Sequence, residues 1–522
     1  MTRTKVNWLS SFKLSWLVVL ASFSLNAQIT EKEVDVLVEN TLKTFNVPGI
    51  AVGIVKDGKL VLAKGYGVAN IKTQQKMDAN TLVGIASNSK AFTASALAIL
   101  VDEGKINWDD KVKKYLPEFK MYNDYVTEEF TIRDLLTHKS GLGLGAGDLM
   151  IWPDGHDFTP KDIVRNIQYL KPVSGFRTQY DYDNLLYVIA GEVIEKVSGK
   201  SWCDFVEERL MKPIGMTKSA SSWRRLKDTT NVVVPHVPTN GKLEIVPRYT
   251  NPIFDAAAGL YASVNDLSHW LIVQMNKGKY GENQQLFSEK QWKEMWTSQT
   301  ILPMNNPHPY SSNFRSYGLG WRLEDINGHL QVSHTGGLDG IVTQTIMIPD
   351  VKLGIIVLTN QQNGAAFTVI SNTIKDSYLG LPKFDHLAYF GQERRAKEDN
   401  ADKVTDEVWA EVNKNLKAKT KIDFSQYTGT FKDNWFGEVT IYEQKGKWYF
   451  ASKRSKRLVG EIFWQKDHSF VVKWNVRSFN ADAHIFFDVD ADGKVNHFKM
   501  KAISPMTDFS YDFHDLDFHR VK

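Results

Sequence analysis

Apolar positions recur along this chain in two periods, and the switch between them outlines the elements. In "IAVGIVKDGKLVLAKGYGVAN", residues 50–70, two apolar runs flank Asp57-Gly58, which predicts a hairpin. From about Ser87 to Glu103 the spacing turns helical. Phe92, Ala96, Ile99 and Leu100 form its apolar face, and Gly104 closes it. "TIRDLLTHKSGL" predicts a short helix ending at Gly141, and "NLLYVIAGEVIEKVSGK" a longer one ending at Ser198-Gly199. "SVNDLSHWLIVQMNKGK" predicts another, capped by Ser263 or Asn265 and stopped near Gly278. Short apolar strands follow in "HLQVSHTGG", "VTQTIMIPD" and "KLGIIVLTNQQ". Strands at both ends with helices between predict an α+β domain over residues 28–385, its sheet joining N- and C-terminal segments beside a helical subdomain.

Beyond residue 385 the pattern changes. Residues 386–420 are strongly charged and read as an exposed helical linker. Residues 421–522 carry short strands and repeated turn signals, such as Lys445-Gly446-Lys447, and read as a small, aromatic-rich β-barrel or sandwich. At the other end, basic residues precede an apolar run from Leu14 to Leu25, and Ala27 offers a small residue before Gln28. This is the layout of a cleaved signal peptide over residues 1–27, and it predicts a periplasmic or secreted protein. The run is short of the ~20 residues a membrane span needs, so no stable span is expected after cleavage.

Composition narrows the classes. With 42% hydrophobic and 24% charged residues the chain is globular. A net charge of +4 over 522 residues, with basic residues scattered, gives no case for nucleic acid. Oligomeric state leaves no mark in the sequence. The single cysteine, Cys203, cannot close an internal disulfide, and its helical setting beside Trp202 and Phe205 suits a small core residue. "DVDADGK" imitates the start of a calcium loop, but the position that would need a glutamate holds Lys499, so it reads as a hairpin turn. There is no zinc-ligand spacing. No metal and no cofactor are indicated. Aromatic residues of the β region, among them Trp435, Phe436, Trp448 and Trp464, could stack on sugars but fit a small β core better.

The candidate chemistry begins in "VGIASNSKAF". Ser87 and Lys90 are three apart, so one helix face would carry both, and a serine hydroxyl needs a neighbouring base to become a nucleophile. Burial and a helix N-terminus would both lower the lysine's pKa. Taken alone, the pair is weak: Ser10 and Lys13 repeat it. Two further motifs follow in order. Tyr182-Asp183-Asn184 lies directly before a long helix, and His334-Thr335-Gly336-Gly337 ends an apolar strand.

This ordered set resembles the serine β-lactamase and penicillin-binding protein superfamily, in particular its class C-like branch, whose middle motif is Tyr-x-Asn. "LLTHKSGL", "LMKPIGMTKS", "AAAGLYASVNDLSHWL", "YGLGW" and "IIVLTNQQN" carry the resemblance over roughly residues 30–380. The C-terminal segment is similar to a small β domain often appended to such hydrolases. The resemblance implies Ser87 as the acylated nucleophile, Lys90 as its activator and Tyr182 as general base, a phenolate favoured by Lys90. It also implies Asn184 on a substrate amide, an oxyanion hole from the N–H groups of Ser87 and Gly337, and Thr335 and Gly336 along the substrate edge. His334 departs from the lysine of many family β-lactamases. Histidine there occurs in some DD-carboxypeptidases and esterases of the superfamily. The expectation is therefore a secreted serine hydrolase for an ester or amide, of esterase or D-amino-acid peptidase type, acting on a small molecule or peptide. A β-lactamase proper and a non-catalytic penicillin-binding or sensor protein are the alternatives. The loops "GAGDLMIWPDGHDF" and "MNNPHPYSSNFRS" are expected to line the pocket.

Overall fold

A computed structural model describes residues 28–239, 241–304, 309–418 and 422–521; the expected signal peptide lies outside them. Asp57 and Gly58 both take positive φ, 50° and 75°, the geometry of a tight hairpin turn. They join strands Gly49–Lys56 and Lys59–Asn70. Gly49–Lys56 also pairs with Leu353–Thr359, with Ile50 opposite Thr359 and Lys56 opposite Leu353. The first and last strands of the hydrolase region thus lie side by side, as the pattern predicts. Among the described residues the main sheet is nine-stranded and antiparallel. One half runs through Arg315–Tyr317, Arg322–Ile326, His329–Leu338 and Ile341–Ile348 to Leu353–Thr359.

Helices cover both faces. Glu31–Phe45 and Gly364–Leu379 pack on one, giving a core that includes Val38, Ile50, Val357 and Ile370. Ser89–Asp102, Leu185–Ser198 and Val264–Met275 lie in the main core on the other, with the Phe92 and Trp270 rings stacked at 3.9 Å. Ser263 caps the last of these, and Gly199, at φ 71°, ends Leu185–Ser198. Two expectations change. Ser87 falls in a 3-10 turn, Ala86–Asn88, before the helix begins, and "TIRDLLTHKSGL" forms only a 3-10 turn at Asp134–Leu136.

His386–Ala418 is one helix of 33 residues. It docks at both ends, so it is a strut as much as a linker. Leu387 and Phe390 pack on the hydrolase core, while Val412 is buried with Val471 and Ile503 of the next domain. Strands between Gly429 and Arg520 close an eight-stranded barrel. The four aromatics singled out pack in or against its core: Trp435 and Phe436 are buried, Trp448 and Trp464 are partly so, and Trp448 stacks on Phe424 at 4.6 Å. "DVDADGK" is the turn between Ala483–Val489 and Val495–Ala502. Barrel and helical region share one continuous apolar core. Among the described residues no helix is long and apolar enough to cross a membrane.

Candidate active site

The turn that carries Ser87 is strained and pinned. Ala86 has φ 50°, a left-handed conformation that costs a non-glycine residue on the order of 1–3 kcal/mol. Tertiary hydrogen bonds hold it. Asn88 donates to Thr343 (2.9 Å) and accepts from Thr345 (2.7 Å), and Ile85 N–H donates to Leu260 O (2.8 Å). Gly336 explains why a strand can approach so closely. A Cβ there would lie 2.2 Å from Ile85 O and 2.9 Å from the Ala86 Cβ. Gly336 is therefore a packing residue under the nucleophile and not part of a substrate edge. It also lies inside the strand His329–Leu338, opposite Thr343, and not at a strand end. Gly337, the next residue, is exposed with open space on its Cα.

Lys90 is fully buried on the first turn of its helix. Its Nζ lies 2.7 Å from Asn184 Oδ1, 3.1 Å from Ala257 O and 3.1 Å from Ser87 Oγ. The first two partners can only accept, so a neutral amine spends both hydrogens there and turns its lone pair to the serine hydroxyl. Burial pushes this amine down to about 7, against smaller opposing effects of Asp148 and Asp183. The Tyr182 phenol lies in the same cavity as Ser87, and Lys90 Nζ sits 4.8 Å from its ring centre. Burial raises this phenol well above its usual value, so Tyr182 stays protonated. Burial thus works against the phenolate that the resemblance implies and toward a neutral amine. Asn184 lines the cavity and is also tied to the machinery. Its Oδ1 takes Lys90, and its Nδ2 donates to Asp148 Oδ2 (2.8 Å), so its first task is to orient the lysine.

His334 is buried on its strand. Nδ1 must donate to Thr335 O (2.6 Å), a carbonyl, so Nε2 accepts from the Tyr317 hydroxyl (2.9 Å). Burial holds its pKa well below the ordinary value. It is a neutral strut and offers substrate no charge.

Ser87, Tyr182, Asn184, His334, Thr335 and Gly337 line one cavity of about 210 Å³. Residues that sequence reasoning passed over complete it. Arg322 and Tyr180 reach it, and Arg322 Nε and the Tyr180 hydroxyl are buried without a hydrogen-bond partner. Arg322 immediately follows "YGLGW", the one signal that could have found it. His138, inside "LLTHKSGL", is wedged 4.3 Å from the Tyr182 ring and 4.6 Å from the Tyr317 ring, and its Nδ1 accepts from Asp183 N–H (3.1 Å). Of the two expected pocket loops, the first supplies Ile151 and Trp152, whereas the described residues of the second supply none. Cys203 is half-buried, its thiol 3.5 Å from Asp255 and pushed up to about 12, so no second nucleophile arises there.

A β-lactamase family model matches residues 34–377, well over half of the chain. The protein belongs to the β-lactamase family. It is a serine hydrolase of that family, with the β-lactamase/transpeptidase fold. A second model, described as a domain of unknown function, matches residues 413–520, which contain the barrel. Unguisins hydrolase ungD' of Aspergillus campestris is 25% identical, over 80% of this chain and 79% of its own length. The octameric penicillin-binding protein homologue from Pyrococcus abyssi superposes with a TM-score of 0.61 at 22% identity, over 92% of this chain and 99% of that one. SurE, solved with D-Leu, does so at 0.52 and 17%, over 94% and 99%.

Proposed function

We propose that this hydrolase cleaves an amide or ester beside a free carboxylate, as in a D-amino-acid peptidase or carboxypeptidase, through an acyl-enzyme on Ser87. The observation that carries the reading is the set of Lys90 contacts, which leaves a neutral amine facing Ser87 Oγ at 3.1 Å. Lys90 takes the hydroxyl proton as Oγ attacks the carbonyl carbon. The backbone N–H groups of Ser87 and Gly337 receive the oxyanion; losing one such donor typically costs ~10²–10³ in rate. As the scissile bond breaks, the leaving group takes the Tyr182 phenol proton, and the Lys90 ammonium restores it. Water then cleaves the ester by the same steps reversed, returning Ser87 and releasing the acid.

Arg322 supports the carboxylate. Its side chain makes no hydrogen bond or ion pair among the described residues, yet lines the cavity beside Tyr180, whose hydroxyl is also unpartnered. Two buried donors without acceptors suit an anionic substrate group. The D-Leu bound to SurE agrees with an amino-acid-sized ligand. Export to the periplasm or exterior belongs to the same proposal and rests on the layout of residues 1–27; N-terminal sequencing of the mature protein from its native host tests it.

The decisive measurement is a panel of D-amino-acid peptides with free and amidated C-termini, short-chain esters and a chromogenic β-lactam, run with wild type and Ser87→Ala. Turnover of free peptides that Ser87→Ala abolishes is expected. Arg322→Gln should raise KM on free-carboxylate peptides on the order of 10²-fold and spare the amidated ones. Equal turnover of free and amidated peptides would leave a serine hydrolase without the carboxylate requirement. Preferential β-lactam turnover would favour the β-lactamase reading.

A further inference from the structure

We propose that the C-terminal barrel is a working part of the catalytic cleft, its segment 508–512 forming the wall that selects substrate and the hydrogen bonds that orient Lys90. The inference rests on the reading that Ser87 is the acylated nucleophile.

The segment follows the strand Val495–Ala502 and leaves the barrel toward the hydrolase. Asp508, Phe509 and Ser510 line the same cavity as Ser87 and Arg322. Phe509 stands edge-on to the Tyr182 ring at 5.9 Å and remains 39% exposed, unlike the barrel's core phenylalanines such as Phe431 and Phe498. An aromatic ring left uncovered beside a catalytic phenol contributes little to the barrel's own packing. With Leu144, Trp152 and Phe254 it gives the cavity an apolar side.

The segment is also fastened to the machinery by a continuous relay. Ser510 Oγ donates to Asp148 Oδ2 (2.9 Å), the oxygen that accepts from Asn184 Nδ2 (2.8 Å), and Asn184 Oδ1 accepts from Lys90 Nζ (2.7 Å). Two residues on, the buried Asp512 carboxylate accepts from the N–H groups of Gly147 (2.6 Å) and Leu149 (3.1 Å), fixing the loop that bears Asp148. Gly145 makes room for this docking. It sits at φ 70°, and a Cβ there would meet the Phe509 ring at 2.7 Å and its carbonyl at 2.9 Å. Gly145 N–H in turn donates to Tyr182 O (2.8 Å). One barrel segment therefore supports the positions of both the base and the acid.

Arg322 brings a cation to the cavity, and Asp508, whose carboxylate accepts from Ser510 N–H (2.9 Å), brings an acidic group. Phe509 and Asp508 are thus specificity-determining residues. They select a small apolar group that is neutral or cationic. Ser510 is a positioning residue that acts through Asp148 and Asn184.

The test uses the full chain and the second-order rate of Ser87 labelling by a short-alkyl and a long-alkyl fluorophosphonate, which needs no natural substrate. Phe509→Ala should shift the ratio toward the long-alkyl probe by on the order of tenfold. Ser510→Ala should slow labelling by both probes by on the order of tenfold, and Ser510→Thr, which keeps the hydroxyl, should recover most of the loss. Thermal unfolding of each variant separates these effects from lost fold, and the Thr variant separates the hydroxyl from packing. An unchanged probe ratio in Phe509→Ala, together with equal rates in Ser510→Ala and Ser510→Thr, would overturn the inference while wild type still labels. Wild type that fails to label at Ser87 would remove the underlying reading instead.

Discussion

Three oxygens surround the Lys90 nitrogen, and only the one on Ser87 has a proton to give. The amine must be neutral to take it, and burial brings its pKa to about 7. The kcat/KM profile is therefore expected to rise about tenfold per pH unit below 7 and level off above it, as initial rates from pH 5 to 9 would record. A limb near the usual lysine value would contradict this assignment. The same shift has a stability consequence. An unfolded lysine holds its proton up to about 10.4, whereas the folded one releases it near 7. Between those values the unfolded chain binds the extra proton, so unfolding free energy rises with pH. Lys90→Met should flatten that slope in urea titrations at several pH values and reduce turnover by at least ~10³. His334 makes the contrasting case. Its two ring nitrogens are already committed to Thr335 O and the Tyr317 hydroxyl, so its ionisation should leave no separate limb near 6.5 in the profile.

At the level of elements, the nucleophile turn is held by the strands beneath it more than by its own helix. The His329–Leu338 strand touches the backbone of Ile85 and Ala86 because Gly336 has no side chain. Gly336→Ala should lower stability by ~1–3 kcal/mol, since a backbone oxygen 2.2 Å away cannot rotate aside. The same displacement should reduce Ser87 labelling, because the strained Ala86 geometry that aims the hydroxyl depends on this contact. Denaturant unfolding and a labelling assay on one preparation check both parts. Labelling at the wild-type rate despite lost stability would mean that the strand supports the fold without aiming the serine. Gly320 plays a parallel part, at φ 79°, where a Cβ would lie 2.9 Å from Lys90 O.

Across the whole molecule, hydrolase and barrel are joined by more than the helix His386–Ala418. Arg454 of the barrel donates to Asp157 (2.7 Å) and Asp162 (3.0 Å) and lies over the Phe158 ring at 3.9 Å. Asn166 donates to Trp435 O (2.9 Å). With a shared apolar core, the two parts should unfold in a single calorimetric transition; two separated transitions would show independent domains. Arg454→Met should cost only about 1 kcal/mol, because partly exposed ion pairs are screened. Much of this architecture was legible in the chain. Asp57-Gly58 announces a hairpin because few residue pairs accept two positive φ angles, and the helix Leu185–Ser198 announces itself by its apolar face and Gly199. Ser87, Lys90 and Tyr182 were legible as candidates through ordered motifs, and they converge because the helices Ser89–Asp102 and Leu185–Ser198 pack in one core. Arg322 and His138 lie at or inside quoted motifs, but nothing local gave either a task, and Ser510 carries no signal at all, since each is an ordinary polar residue until distant segments bury it or bring it to the cleft. The sequence by itself determined the elements, the hydrolase-then-barrel order and the candidate groups of the site, because periodicity, turn chemistry and ordered motifs are read along the chain. Only the tertiary structure decided that Lys90 and Tyr182 are buried beside Ser87, that both ring nitrogens of His334 are hydrogen-bonded, and that a barrel segment lines the cleft. Those depend on burial and on contacts between residues hundreds of positions apart, and desolvation belongs to the folded whole.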